Sequence, residues 1–151
     1  MKLALIGAKG VVGEKMLQLI QEMGIPYDEL YLAASNKSIG RKVKAAGKKN
    51  KLLSVADVLS KNPDVVLFSA GGSAAREWAP EFAKKGSFVI DNSSAWRMED
   101  QVPLIVPEIN GHLINSESKI IANPNCSTIQ LVVVLYPLHL RFGLKRVVVS
   151  T

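Results

Sequence analysis

The chain has 151 residues, 48% of them apolar and 21% charged, with a formal net charge of +6. That length suits one domain with a substantial core, and the apolar content excludes a disordered chain. A single cysteine excludes an internal disulfide and suits a reducing, cytoplasmic setting. The opening run MKLALIG is too short for a secretory signal, and the longest apolar stretch, residues 129–140, is too short to span a bilayer, so no membrane partner is expected.

In chain order, residues 2–7 form a short apolar run ending in glycine, the pattern of a buried strand. Helical spacing follows over 13–24, closed by Gly24. A strand is predicted at 29–35, then a short helix at 54–62, a continuous apolar strand at 64–70 and a helix at 74–86. Further strands are predicted at 87–93, 103–110 and 119–124, with a helix at 127–138 and a last apolar strand in KRVVVST. Strands alternating with helices predict an α/β fold, Rossmann-like and doubly wound around a mainly parallel sheet. Ligands of such sheets sit beyond the carboxyl ends of the strands. The loops GAKGVVG, SNKS, AGGS, NSSAWR and NPNCST would all lie on that edge, and they are the most polar and glycine-rich pieces of the chain.

GAKGVVG places Gly7, Gly10 and Gly13 between a strand and a helix. Glycines there let main-chain amides approach a pyrophosphate at a helix N-terminus, which makes Gly7, Lys9, Gly10, Val11, Val12 and Gly13 the candidate cofactor loop. Gly71 and Gly72 of AGGS join them on the same edge. A dinucleotide with a free 2′-hydroxyl usually meets an acid after the second strand. No acid occurs between Ala33 and Lys51, and Ser35, Lys37 and Ser38 suit a 2′-phosphate instead, so NADP is the expected cofactor. Residues 41–51 hold six basic residues and no acid. Without interleaved aromatics or a binding motif this reads as a solvated basic loop or hairpin, able to steer anions, and no nucleic-acid partner is expected.

Cys126 falls where a strand turns into an apolar helix. A helix N-terminus favours thiolate, and Asn125 with Ser127 or Thr128 either caps the helix or donates to an oxyanion. A lone cysteine is more often a buried small hydrophobe. Its polar flanks and the shared edge with a phosphate loop favour a nucleophile here. A thiol beside a nicotinamide suits reversible acyl reduction through a thioester, which also needs a general base. His139 lies thirteen residues further along the same predicted helix, roughly 20 Å away, and His112 sits in a surface turn. Neither suits that role. No metal site is expected.

The segments GAKGVVG, SAGGS, IDNSSAWRM, LIVPEIN and above all IIANPNCSTIQ resemble the aspartate-β-semialdehyde dehydrogenase family, in order over essentially the whole chain. The related N-acetyl-glutamyl-phosphate reductases set their cysteine in His-Pro-Gly-Cys-Tyr, unlike NPNCST. The resemblance implies NADPH-dependent reduction of L-aspartyl 4-phosphate to the semialdehyde with release of inorganic phosphate. That reaction serves lysine (diaminopimelate), threonine and methionine biosynthesis, in a cytoplasmic homodimer. It implies Cys126 as nucleophile, Lys9 to Gly13 at the cofactor phosphates, Lys37 and Ser38 at the 2′-phosphate, and Arg97 and Asn125 at substrate or phosphate. An arginine on this edge suits a phosphate clamp independently.

Three departures stand out. Lys9 replaces a usual threonine, and Asn36-Lys37-Ser38 replaces a usual Ser-Arg-Ser or Ala-Arg-Ser, keeping charge without the guanidinium fork. Family members also continue past VVVST into an α+β domain with the catalytic histidine and most of the dimer interface. Residues 1–151 are therefore expected to be a truncated NAD(P)-binding domain, inactive alone. The competing expectations are a non-catalytic nucleotide-binding or redox-sensing module and an N-acetyl-glutamyl-phosphate reductase-like enzyme. Retention of Cys126, its asparagines and Arg97 together speaks against a mere binding module.

Overall fold

A computed structural model describes residues 1–45 and 47–150, with Lys48 described by its backbone alone. The chain begins with β1 (Lys2–Ile6), α1 (Val11–Glu22) and β2 (Glu29–Ala33), followed by a hairpin of β3 (Lys42–Ala45) and β4 (Lys48–Lys51). Next come α2 (Val55–Ser60), β5 (Val65–Phe68), α3 (Gly72–Lys84) and β6 (Phe88–Asp91). A short α4 (Pro107–Asn110), β7 (Ile120–Ala122) and the long α5 (Cys126–Phe142) complete it.

Five strands form one sheet in the order β2-β1-β5-β6-β7, every neighbour parallel. The register aligns Ala33 with Ile6, Ile6 with Phe68, Phe68 with Asp91 and Asp91 with Ala122. The last residue of every strand thus stands in a single row. These strands read as apolar runs because both faces of a parallel sheet are usually covered. On one face Ala4, Ile6, Val66 and Phe68 cluster with Val58 of α2 and Phe82 of α3. On the other, Leu5 and Leu32 meet Leu17 of α1, Ala45 of β3 and Leu52. Ser54 starts α2 with a capping box: its hydroxyl accepts from the Asp57 amide at 3.0 Å, and the Asp57 carboxylate accepts in return from the Ser54 amide at 3.4 Å.

Two predicted strands take other forms. Within 103–110 only Leu104 bridges to Ala122, and Pro107 then opens α4. Proline is pre-organised for the first helical position, and the Asn110 side chain accepts from the Val106 amide at 2.8 Å, which turns the chain away from the sheet. The C-terminal VVVS has no strand partner among the described residues, and Val147, Val148 and Val149 are exposed. The last helix instead runs through Pro137 to Phe142, closed by Gly143 at φ +65°. No residue of α5 is buried, and Val134, Leu140 and Phe142 face solvent.

The turn after β1 brings backbone against backbone. Gly7 has φ +88°, and a Cβ there would stand 2.3 Å from the Ser69 carbonyl oxygen. A Cβ at Gly13 would stand 2.2 Å from the Gly7 carbonyl oxygen. Neither backbone atom is free to retreat: Ser69 donates to the Ile6 carbonyl at 2.8 Å, and the Gly7 amide donates to Ala33 at 2.9 Å.

Asp91 closes β6 with its side chain completely buried. Its carboxylate accepts from the Ser93 hydroxyl at 2.6 Å and the Ser93 amide at 3.2 Å. Burial raises its pKa above the ordinary 3.8, while the Ser93 bonds and the Arg97 charge oppose the rise.

Gly13→Ala is expected to lower unfolding free energy in urea by about 3 kcal/mol, the upper range for overpacking. Gly10→Ala, whose Cβ would meet nothing nearer than 3.4 Å, is expected to change it by less than about 1 kcal/mol. Equal losses would contradict this account of the turn. For Asp91, a raised native pKa means the native state binds the proton more tightly than the unfolded chain. Stability is therefore expected to fall as pH rises from the ordinary carboxyl value through the raised native one, then level off. Thermal melts across that window should give a flatter profile for Asp91→Asn, whose carbonyl oxygen can still accept from Ser93. Parallel profiles would refute the assignment.

Candidate functional site at the carboxyl edge of the sheet

The aligned strand ends place GAKGVVG, SNKS, AGGS, NSSAWR and NPNCST after β1, β2, β5, β6 and β7 respectively. Two adjoining recesses open there. One, of about 430 Å³, is lined by Gly7, Lys9, Gly10, Ser35 and Ser38 among others. The second, of about 410 Å³, shares Gly7 and Ser35 and extends to Ser54 and Trp78. Lys37 is exposed in the one-turn 3-10 helix Asn36–Ser38 and does not line either recess.

These recesses fit an anionic dinucleotide. Gly10 caps α1 with no side-chain hydrogen bond, so the first-turn amides, including those of Val11 and Val12, are left for an outside acceptor. Val11 and Val12 are themselves exposed, so their contribution there is their backbone. Gly71, at φ +85°, caps α3 in the same way, with Gly72 as the first helical residue. Glycine at 7 and 13 lets this turn close on its own main chain, since a Cβ at either position would collide with it.

At the other end of the row lies Cys126, exposed and unbonded to another cysteine, as the first residue of α5. Asn125 caps the helix: its Oδ1 accepts from the Ser127 amide at 3.0 Å and the Ser127 hydroxyl at 2.6 Å, with the Cys126 sulfur 3.9 Å away. The capping alternative for Asn125 therefore holds, and its Nδ2 has no partner among the described residues.

Arg97 is joined to the thiol segment directly. Its Nε donates to the Asn123 carbonyl at 2.9 Å and its Nη2 to the Asn92 carbonyl at 3.1 Å. Asn92 and Asn123 are the first residues beyond β6 and β7, and their side chains pair, Asn123 Nδ2 donating to Asn92 Oδ1 at 2.7 Å. Two of the five guanidinium N–H bonds thus brace the strand ends, and the other three have no hydrogen-bond partner among the described residues. Sequence reading missed this brace. The asparagines were visible beside the thiol and in IDNSS, but only the β6–β7 register makes them neighbours. Trp78 and Ser54 were also missed, although the S-x-x-D signature of Ser54 and Asp57 marked a helix start at that edge.

His139 is on α5, thirteen residues beyond Cys126 in a continuous helix and so about 20 Å along it, and His112 is exposed in the 3-10 turn Gly111–Leu113. Among the described residues, no group of three His, Cys, Asp or Glu is placed to hold a metal, and no helix is long and apolar enough to cross a membrane.

Comparison with known proteins agrees with this arrangement. The family model for the semialdehyde dehydrogenase NAD binding domain matches residues 2–117. The aspartate-semialdehyde dehydrogenase of Aquifex aeolicus is 51% identical over 153 residues, covering 99% of this chain and 45% of that protein. Among solved structures, aspartate semialdehyde dehydrogenase II from Vibrio cholerae complexed with ASA superposes with a TM-score of 0.88 at 44% identity, covering 93% of this chain and 47% of its own. The Candida albicans enzyme with NADP gives 0.74 at 26% identity, covering 95% of this chain and 48% of its own. The chain thus spans a little under half the length of the relatives it matches. The match over residues 2–117 shows that the chain belongs to the semialdehyde dehydrogenase family, with the glycine loop, Arg97 and Cys126 on one sheet edge.

Proposed function

We propose that this chain is the nucleotide-binding and nucleophile-bearing part of an NADP-dependent aspartate-semialdehyde dehydrogenase. The observation that carries the reading is the position of Cys126: it begins α5 on the same edge as the glycine loop, in a segment braced by Arg97. The main-chain amides of Val11 and Val12, with Gly7, Lys9, Gly10 and Gly13, would hold the cofactor diphosphate. Gly71 and Gly72 would lie alongside, with Ser35, Lys37 and Ser38 at the 2′-phosphate. When bound, the cofactor supplies or accepts the hydride.

In the reductive direction the Cys126 thiolate attacks the acyl carbon of L-aspartyl 4-phosphate. The carbon–sulfur bond forms, and the bond to phosphate oxygen breaks with release of inorganic phosphate. The free N–H groups of Arg97 suit that phosphate, and Asn125 Nδ2 suits the carbonyl oxygen as it gains charge. With hydride supplied by a bound cofactor, the thioester carbon would be reduced, and expulsion of the Cys126 thiolate would free L-aspartate 4-semialdehyde. The overall balance consumes one NADPH and one proton. The reverse reaction oxidises the aldehyde in the presence of phosphate.

His139 stands about 20 Å along α5 from the thiol and His112 is exposed in a separate 3-10 turn, and we assign the base to residues outside these 151. The bare apolar surface of α5 supports a longer protein in which further chain covers it, and we infer a cytoplasmic homodimer acting in lysine, threonine and methionine biosynthesis.

A chimera carrying residues 1–151 in place of the matching part of the Aquifex aeolicus relative is expected to reduce NADP⁺ with aspartate semialdehyde only when phosphate is present. Cys126→Ala is expected to lower that rate by about 10³-fold or more. A folded but inactive chimera, or activity that survives the substitution, would defeat the reading. In calorimetry on the 151-residue chain, Lys37→Ala is expected to weaken NADP⁺ binding about tenfold while leaving NAD⁺ binding unchanged. Equal effects on both would move the 2′-phosphate site elsewhere.

A further inference from the structure

The chain holds 19 basic and 13 acidic residues, and six of the basic ones fall within 41–51, where there is no acid. The other 140 residues are therefore neutral overall, and the whole excess charge belongs to one hairpin. In that hairpin Lys42 stands directly opposite Lys51, and Lys44 directly opposite Lys49. Opposite residues of an antiparallel pair, and residues two apart along a strand, share a face. The four side chains therefore project from one face, and all four residues are exposed. The reverse face carries Val43 and Ala45, which pack into the core beside Leu17.

Like charges placed directly opposite destabilise a ribbon. Among the described residues no ion pair relieves them; only Lys51 is near enough to Asp57 to help lower that carboxyl's pKa. The hairpin is rooted at the cofactor edge. Arg41 donates to the Ser38 carbonyl at 3.2 Å, Leu52 donates to Arg41 at 2.8 Å and Gly40 to Leu52 at 2.9 Å, and Ser38 itself lines the larger recess. Each strand is about 13 Å long. None of the four lysines lines either recess at the strand ends.

We propose that this four-lysine face is an electrostatic collector that speeds capture of the triply phosphorylated dinucleotide by the recess at its root; the proposal rests on the NADP reading above. A charge cluster beside a site, without contact to the bound ligand, raises the association rate and leaves dissociation unchanged. Its reach follows the screening length, about 30 Å at 0.01 M salt and about 8 Å at 0.15 M.

The test is stopped-flow binding of NADPH to the 151-residue chain, read by quenching of Trp78, which lines the smaller recess. The comparison variants are K42Q/K44Q/K49Q/K51Q and a charge-matched control, K15Q/K84Q/K85Q/K145Q. At 0.01 M salt the hairpin variant is expected to associate about tenfold more slowly than wild type, with the difference shrinking to about twofold at 0.15 M. Dissociation rates should match, and the control should keep the wild-type association rate. The hairpin variant should also melt at or above the wild-type temperature, because opposed charges have been removed. Unchanged association, an equal loss in the control, or a change confined to dissociation would overturn the collector while leaving the cofactor site standing. Absence of any NADPH signal from the wild-type chain would overturn the cofactor reading and this proposal together.

Discussion

Parallel neighbours in a sheet require a connection that crosses back over one face before the next strand begins. Five strands here obey that constraint, and their register is tight enough that Ala33, Ile6, Phe68, Asp91 and Ala122 end in one row. Everything functional follows from the row. The loops that leave it start level with one another and are free of the ladder, so amides, hydroxyls, an arginine and a thiol far apart in sequence gather along a single edge. The glycine turn stands second in the order, after β1, and the thiol at the far end, after β7.

The glycine turn and the thiol end of that row are held differently. At the glycine turn the constraint is steric: Gly7 and Gly13 bring backbone against backbone at distances that leave no room for a Cβ. At the thiol end it is polar. The Asn92–Asn123 amide pair and the Arg97 fork continue the β6–β7 ladder one step beyond the last strand residues, so the chain enters α5 from a fixed point. Asn125 then caps the helix, leaving Cys126 exposed as its first residue. An arginine that braces two carbonyls is held in place by them, with three N–H groups unpaired among the described residues.

Much of this was legible in the sequence because it is local. The apolar runs at 2–7 and 64–70, the spacing of Gly7, Gly10 and Gly13, and Cys126 between a strand and a helix all declare themselves within a dozen residues. The Arg97 brace was not legible, because it links carbonyls 31 positions apart that meet only through strand register. LIVPEIN misled for a local reason: four of its residues are apolar, yet Pro107 in the middle begins a helix. The C-terminal VVVS reads as a strand by composition, but a strand needs a neighbour, and none lies among the described residues.

We propose that one sheet edge joins a phosphorylated dinucleotide to the Cys126 thiol. A crystal structure of the 151-residue chain with NADP⁺ tests it most directly. The diphosphate is expected against the first turn of α1, the 2′-phosphate at Ser35 and Ser38 with Lys37 turned toward it, and the nicotinamide end directed along the edge toward Cys126. A dinucleotide bound away from the strand ends, or one lying there with its nicotinamide directed away from α5, would contradict it.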